Sequence, residues 1–257
     1  MATEARRVAA QVRYVHLAFL RNPAAAIFTL AFPLGLLIVL TALLRDGTVE
    51  RGGVAIDRPT YHVVAMALFG SISACYTNVA MTVTLARERG VLKRLRGTPL
   101  PIGTAVAARV LHATAVAIVL VTAPIAYGVA VGALAAPGLA GGAATLGVVV
   151  LTAACFSAIG LAVSTFVRDA AAAPPVVNGL SFPVLLLSGV FVPIGDDAPR
   201  WVVAFAEVFP IQPAFDAMLA VTVGSSAIEA SDLLVILVWT SVAAVVAVRR
   251  FRWEPAT

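Results

Sequence analysis

Long apolar runs separated by short charged segments constrain this chain more than any other feature. Runs of about 20 apolar residues are long enough to cross a hydrocarbon core of about 30 Å as helices, which satisfy their own backbone hydrogen bonds in lipid. Hydrophobic residues make up 61% of the 257 residues and charged residues only 12%. No alternation of period two indicates a membrane barrel. The sequence therefore predicts an all-α membrane protein that is embedded in the lipid bilayer.

The apolar runs predict six transmembrane helices in a single transmembrane domain, residues 1–257. The interruptions between the runs are too short or too hydrophobic to form a separate soluble domain. The predicted spans are 24–44, 61–85, 110–135, 143–167, 171–194 and 233–248.

Residues 3–21 precede the first span and are predicted to form an amphipathic helix. Valines and a phenylalanine fall on one helical stripe and arginines lie opposite, a pattern typical of a helix that lies in the membrane interface. An irregular solvated tail is the alternative. The apolar stripe consists of Val8, Val12, Val15 and Phe19, and the opposite face carries Arg6, Arg13 and Arg21.

Residues 196–220 are apolar but are interrupted by carboxylates and prolines. A carboxylate at the middle of a bilayer costs about 2.5 to 3.5 kcal/mol on the insertion scale, and prolines break a helix. The segment is therefore predicted to be re-entrant: two short helices that enter the outer leaflet and return, between the fifth and sixth spans. Its candidate functional residues are Trp201, Glu207, Pro210, Gln212 and Asp216.

The charges are distributed unevenly between the two predicted faces of the membrane. With six spans and a cytoplasmic N-terminus, the cytoplasmic segments hold 14 of the 18 basic residues and four of the 13 acidic residues. This is the positive-inside pattern, and it accounts for the net charge of +5 without nucleic acid. Both termini are therefore predicted to be cytoplasmic. Lys93 is the only lysine in an arginine-, alanine- and valine-rich chain, which is typical of GC-rich bacteria and indicates a bacterial plasma membrane.

The second span carries small and polar residues along one narrow face: Ser71, Cys75, Asn78 and Thr82 recur at helical spacing. Such a face does not suit contact with lipid. It could form a wall of a translocation path, or it could pack against another helix through small and hydroxyl side chains. The sequence leaves both interpretations open.

The segment 86–100 is strongly basic and lies between two spans. It reads as a short cytoplasmic helix in which Val91, Leu92 and Leu95 form an apolar stripe among charges, ended by Thr98 and Pro99. Apolar residues on a short charged helix favour docking to a protein partner. A solvated helix on anionic lipid headgroups is an equally good interpretation.

The motifs of several enzyme classes are missing from the sequence. A phosphate-binding loop requires Gly-Lys followed by Ser or Thr, whereas Lys93 follows Leu92. Paired histidines or a CxxC motif for a metal are also missing, and the acidic residues are dispersed. We therefore expect no catalytic residue, no metal and no cofactor in this chain. A polytopic membrane enzyme that acts on lipids remains an alternative.

The stretch from Arg87 to Leu100 resembles the first intracellular loop of the ABC-2 type transporter permeases, although Val91 stands where threonine is common in that family. The resemblance extends to the N-terminal helix, the six spans and the re-entrant segment. Further motifs similar to those of the family are Ser188–Pro193, Pro199–Trp201 and Phe209–Asp216.

This resemblance implies the permease subunit of an ATP-driven exporter of the compact drug-resistance or antibiotic-exporter type. Two copies of the permease would work with two copies of a separate ATPase, which would bind ATP and Mg²⁺. An amphipathic small molecule would be the substrate; export of a lipid or polysaccharide is the alternative. The segment 86–100 would be the coupling helix that contacts the ATPase. Its implied contact residues are Arg87, Glu88, Arg89, Gly90, Val91, Leu92, Lys93, Leu95 and Pro99.

Overall fold

The computed structural model describes residues 2–51, 54–98, 101–194, 198–224 and 227–251, which form eleven α-helices and one β-hairpin. The helices are α1 (Ala2–Leu20), α2 (Pro23–Leu43), α3 (Arg58–Ile72), α4 (Asn78–Glu88), α5 (Val91–Arg96), α6 (Ile102–Ala130), α7 (Leu139–Ser164), α8 (Ala173–Leu187), α9 (Arg200–Val208), α10 (Ile211–Val223) and α11 (Ala230–Arg250). The strands are β1 (Thr48–Arg51) and β2 (Val54–Asp57).

One continuous helical rod, Arg58–Glu88, forms the centre of the bundle. It consists of α3, a π-helical turn (Ser73–Thr77, "the π turn") and α4. A proline in its first turn begins the rod, where a missing N–H costs no hydrogen bond. Most of α3 is buried on all sides, as expected for a helix that is apolar all round. The rod packs against α2, α6, α7 and α10, whereas α11 packs against α7 and α10.

The bundle has two ends, which we name after the connections that lie there. The turn end carries the α4–α5 turn, and the hairpin end carries β1 and β2. Helix α1 lies against α6 through an edge-to-face contact of His16 with His112, whose ring centroids are 5.4 Å apart. The apolar stripe predicted for α1 is its half-buried side, and Arg6 and Arg13 are exposed. At the far end of α11, the Arg250 guanidinium lies 5.0 Å from the centre of the Phe166 ring.

Helices α9 and α10 form a bent pair with an angle of 76° between them. The segment that precedes them lies at the hairpin end, because the Tyr61 hydroxyl donates a hydrogen bond to the Gly189 carbonyl there. The helix that follows them also starts at the hairpin end, since Asp232 lies close enough to Arg51 of β1 to interact electrostatically. The pair therefore begins and ends on one side of the bundle, as a re-entrant segment does.

Five helical stretches are long and apolar enough to cross a membrane, or six if the bent pair counts as one span. This confirms the predicted all-α membrane protein. Most bounds differ from the predicted ones by one to four residues, and two spans differ by more. The fifth predicted span, 171–194, is represented by α8 of only 15 residues, which ends at a turn before Gly189. The third, 110–135, starts earlier because the helix begins right after Pro101 and takes in Arg109.

The β-hairpin lies between the first and second predicted spans, where the apolar pattern predicts no transmembrane helix. Its strands pair antiparallel, with Val49 opposite Ile56 and Arg51 opposite Val54. Val49 and Ile56 are both buried, so one face of the hairpin packs on the end of the bundle. The hairpin fixes the position of Arg51 above the helices.

Candidate functional site

The chain reverses direction at the turn end between α4 and α5. Gly90 adopts a positive φ of 66°, which glycine accommodates without the steric cost of a side chain. The helix that follows, α5, has only six residues. The predicted coupling segment 86–100 is therefore a helix end, a tight turn and a short helix; Pro99 and Leu100 lie outside the described residues.

Arg87, in the last turn of α4, points into the protein and is only 5% exposed. Its guanidinium donates hydrogen bonds to the carbonyl oxygens of Ser164, at 3.0 Å, and of Val167. Ser164 is the last residue of α7, and the final carbonyls of a helix have no partner within it. Arg87 thus caps the C-terminus of α7 with a positive charge, which the helix dipole also favours.

Glu88 accepts a hydrogen bond from the Ala170 backbone N–H at 2.8 Å. Ala170 lies in the short connection from α7 to α8. We call Arg87 and Glu88, together with the backbone groups that they bind on 164–170, the clasp. The clasp ties the end of the central rod to the segment that leads into α8.

The apolar residues of the turn face the protein. Leu92 is 2% exposed and belongs to the main hydrophobic core, while Leu95 is half-buried against that core. The sequence predicts that these leucines contact a partner protein, whereas in the structure they pack against the chain's own core. The surface that the turn presents outwards is charged and carries Arg89, Lys93 and Arg94. Arg94 also donates to the Arg89 carbonyl at 3.1 Å, which holds the turn closed.

The polar stripe predicted for the second span is divided by the π turn. Ser71 and Cys75 are fully buried, whereas Asn78 is half-exposed and Thr82 is exposed. A π turn inserts an extra residue into the helix and so rotates the faces before and after it relative to one another. Ser71 and Cys75 are therefore packing residues in this chain, and only Asn78 and Thr82 of the stripe are placed to line a path.

The π turn packs closely against α7. A Cβ atom at Gly160 would lie 2.6 Å from the Tyr76 carbonyl oxygen and 3.1 Å from that of Cys75. Only glycine permits this approach, because backbone atoms cannot move aside as a flexible side chain can. The Tyr76 hydroxyl donates to the Val177 carbonyl at 2.9 Å, which joins the rod to α8 as well.

A bidentate ion pair joins the hairpin to α10 at the hairpin end. The Arg51 guanidinium binds both carboxylate oxygens of Asp216, with an Nη2–Oδ2 distance of 3.0 Å. The guanidinium also lies 5.1 Å from the centre of the Phe215 ring, within the range of a cation–π contact. Burial by itself would lower the pKa of Arg51, but the hydrogen bonds and the charge of Asp216 outweigh it and raise that pKa.

The other residues singled out in the re-entrant segment have different environments. Trp201 is 63% exposed and Glu207 is exposed, both on α9. Pro210 is buried at the bend, next to Gln212, whose side-chain oxygen is buried without a hydrogen-bond partner in the described part of the chain. Of these five residues, only Asp216 forms an ion pair within the described part of the chain.

Residues 7–223 match the family model of the ABC-2 type transporter, from the first turns of α1 to the end of α10. The chain belongs to this family. ABC-2 membrane proteins are the permease part of ABC transporters rather than the ATPase, and they normally work with an ABC ATPase partner. The chain is therefore the transmembrane component of an ABC transporter and a multi-pass membrane protein. Comparison with curated proteins gives no match.

In this ABC-2 permease, the local sequence pattern does not reveal the residues whose partners are distant along the chain. Arg51 stands 165 positions from Asp216, and Tyr61 stands 128 positions from Gly189. The same holds for Trp239, whose indole N–H donates to the Val208 carbonyl at 2.8 Å and closes the end of α9. The hairpin itself had a signal, because β-forming residues flank Gly52 and Gly53 in the sequence.

Proposed function

We propose that this permease exports an amphipathic small molecule, of the drug or antibiotic type, in a complex of two permease copies and two copies of a separate ATPase. The observation that carries the proposal is the shape of the α4–α5 turn. Its outer surface is charged and exposed, and its inner surface is fixed to α7 and the α7–α8 connection by the clasp. A partner that pushes on such a turn moves the bundle behind it.

The proposal places the turn end in the cytoplasm of a bacterial cell. Helix α1, the α4–α5 turn, the α7–α8 connection and the end of α11 supply most of the basic residues of the chain. Most of the acidic residues in the described part of the chain lie at the hairpin end. The positive-inside rule favours this orientation. It puts the charged turn where a cytoplasmic ATPase can reach it.

The translocation path is proposed to follow the exposed side of α4. Asn78 and Thr82 lie there, on a rod that other helices cover on most sides. The Thr82 hydroxyl is satisfied by the Asn78 carbonyl at 2.7 Å. The Asn78 amide is polar and half-exposed at the level of the membrane, where contact with lipid is unfavourable. A second permease copy facing this side would enclose a partly polar path suited to an amphipathic molecule.

The test is charge reversal on the exposed side of the turn. We expect Arg89→Glu with Arg94→Glu to abolish co-purification of the ATPase. The two arginines would attract an acidic surface on the ATPase, whereas the two glutamates would repel it. The matched control is Arg6→Glu with Arg7→Glu, which reverses two exposed charges on α1. The control should retain the ATPase.

The measurement is co-purification of the tagged permease with co-expressed ABC ATPase subunits of the same genome, followed by nucleotide hydrolysis in liposomes. Unchanged association of the turn variant would refute the role of the turn in ATPase binding. Turnover of a lipid by the permease alone, with no ATPase and no nucleotide, would favour a membrane enzyme instead. Uptake assays with labelled drugs, lipids and polysaccharides into inverted vesicles separate the candidate substrates.

A further inference from the structure

A cleft of about 390 Å³ opens at the hairpin end between β1 and the segment that follows α8. It lies apart from the clasp and from the α4 side of the central rod. This volume falls within the range of sites that hold small ligands. Its polar lining is Thr48, Glu50, Arg58 and His62, and its apolar lining is Leu44, Val49, Phe191, Val192, Pro193 and Ile194.

Two opposite charges face this cleft without neutralising one another. Glu50 and Arg58 both line it, and neither forms an ion pair with any residue in the described part of the chain. Arg51, the neighbour of Glu50, is occupied by Asp216. Among the described residues, the cleft therefore offers a ligand one carboxylate and one guanidinium that have no ion-pair partner.

His62 adds a polar group that the fold leaves unused. It is 6% exposed, and its Nε2 atom has no hydrogen-bond partner among the described residues. A buried polar atom without a partner is costly, but Nε2 has almost no accessible surface, so a group in the cleft reaches it only if the imidazole ring rotates. The lining thus combines a buried donor or acceptor with the two exposed charges.

The position of the cleft suits a lipid headgroup. Leu44 follows the end of α2, and Arg58 begins the central rod, so the cleft lies where two spans reach the edge of the membrane. Phe191 and Pro193 supply an apolar wall beside the charges. A molecule that is zwitterionic at one end and apolar at the other fits this arrangement.

We propose that the cleft binds the phosphoethanolamine headgroup of a membrane phospholipid. The phosphate contacts Arg58 and, after a rotation of the imidazole ring, the Nε2 atom of His62, and the ammonium group contacts Glu50. A guanidinium is a good partner for phosphate, and charge-assisted hydrogen bonds are the stronger ones. Phosphatidylglycerol has the phosphate without the cation, so Glu50 disfavours it. This site does not depend on the transport direction or on the ATPase.

The test measures lipid binding to the purified full chain in detergent by native mass spectrometry. Phosphatidylethanolamine, phosphatidylglycerol and phosphatidylcholine of equal chain length are added in competition, and soluble phosphoethanolamine is added in a separate arm. We expect phosphatidylethanolamine to be preferred over phosphatidylglycerol, and an excess of soluble phosphoethanolamine to displace it. Failure of the soluble headgroup to displace the lipid would place the binding on the acyl chains and overturn the headgroup site.

Two conservative variants separate the roles of the charges. Glu50→Gln should reduce the preference for phosphatidylethanolamine over phosphatidylglycerol by roughly three- to tenfold. The ammonium group loses its partner, and the carboxylate no longer repels the anionic phosphatidylglycerol. Arg58→Gln should weaken both lipids. The matched controls are Asp57→Asn and Arg45→Gln, exposed charges nearby that do not line the cleft. An unchanged lipid preference in Glu50→Gln, or an equal change in Asp57→Asn, would overturn the proposal.

His62 is tested by a pair of substitutions, because its burial makes an effect on folding possible. His62→Gln keeps a polar group that can bind phosphate, whereas His62→Leu removes it. We expect His62→Gln to retain more lipid binding than His62→Leu, with thermal unfolding of both variants recorded without added lipid. Equal lipid binding by the two variants would remove His62 from the site.

Discussion

Breaking the ion pair between Arg51 and Asp216 tests whether the hairpin holds the re-entrant helices in place. The pair is bidentate, and the side chains are only 13% and 28% exposed. Hydrogen bonds to charged groups contribute about 1.5–3 kcal/mol, and partial exposure of Asp216 reduces that value. We therefore expect a coupling energy of about 2 kcal/mol.

The assay is a double-mutant cycle with Arg51→Gln and Asp216→Asn, followed by thermal unfolding in detergent with tryptophan fluorescence. Either single substitution leaves a partly buried charge unpaired, which is costly. For a chain of this size, about 2 kcal/mol corresponds to a Tm decrease of roughly 4–8 °C. The double variant should be less destabilised than the sum of the two single variants by about the coupling energy.

A control cycle uses Arg45→Gln and Asp46→Asn, two exposed charges ahead of the hairpin. These neighbours form no ion pair within the described residues, and we expect their effects to add within about 0.5 kcal/mol. A coupling energy below about 0.5 kcal/mol for Arg51 and Asp216 would refute the argument that this ion pair fastens the hairpin to α10.

Two further substitutions test the packing of the central rod, both by thermal unfolding. Gly160→Ala should lower the stability by about 1–3 kcal/mol, because its Cβ would meet a backbone carbonyl of the π turn. The control Gly147→Ala, on the same helix, has open space around the new Cβ and should be neutral or stabilising. Equal effects of the two substitutions would contradict the close contact at Gly160. Leu92→Ala should cost about 2–5 kcal/mol, because it truncates a core side chain. The control Arg89→Ala, on the exposed side of the turn, should change stability by no more than about 0.5 kcal/mol. A neutral effect of Leu92→Ala would indicate that Leu92 belongs to a surface that contacts a partner.

The all-α membrane class of the chain could be predicted from the sequence because the membrane imposes a local rule. A run of about 20 apolar residues must satisfy its backbone hydrogen bonds internally, and a helix does so without distant partners. The break of the apolar helix near Pro210 could be predicted from the prolines and carboxylates of that segment. The exact ends of α6 and α8 were harder, since they depend on turns outside the apolar runs.

The contacts at the two ends of the bundle could not be predicted in this way. The pairing of Arg51 with Asp216 depends on how two distant segments meet, and neither residue has a local pattern that names the other. Leu92 shows the same limit at the turn end. Amphipathic spacing indicates that one face of a short helix is covered, but it does not distinguish the chain's own core from a partner protein.

Helix α8 is held near both of its ends by the same central rod. Before α8, the Ala170 N–H binds Glu88 at the turn end of the rod; after α8, the Gly189 carbonyl binds Tyr61 at the hairpin end. Under the proposed function, a displacement of the α4–α5 turn by the ATPase would therefore move α8 together with the rod rather than past it. The rod can bend most readily at the π turn, where the regular hydrogen-bond ladder is interrupted. Because Gly160 fixes that turn against α7, we expect motion at the turn end to reach the hairpin end as a tilt of α3 and α8 relative to α7.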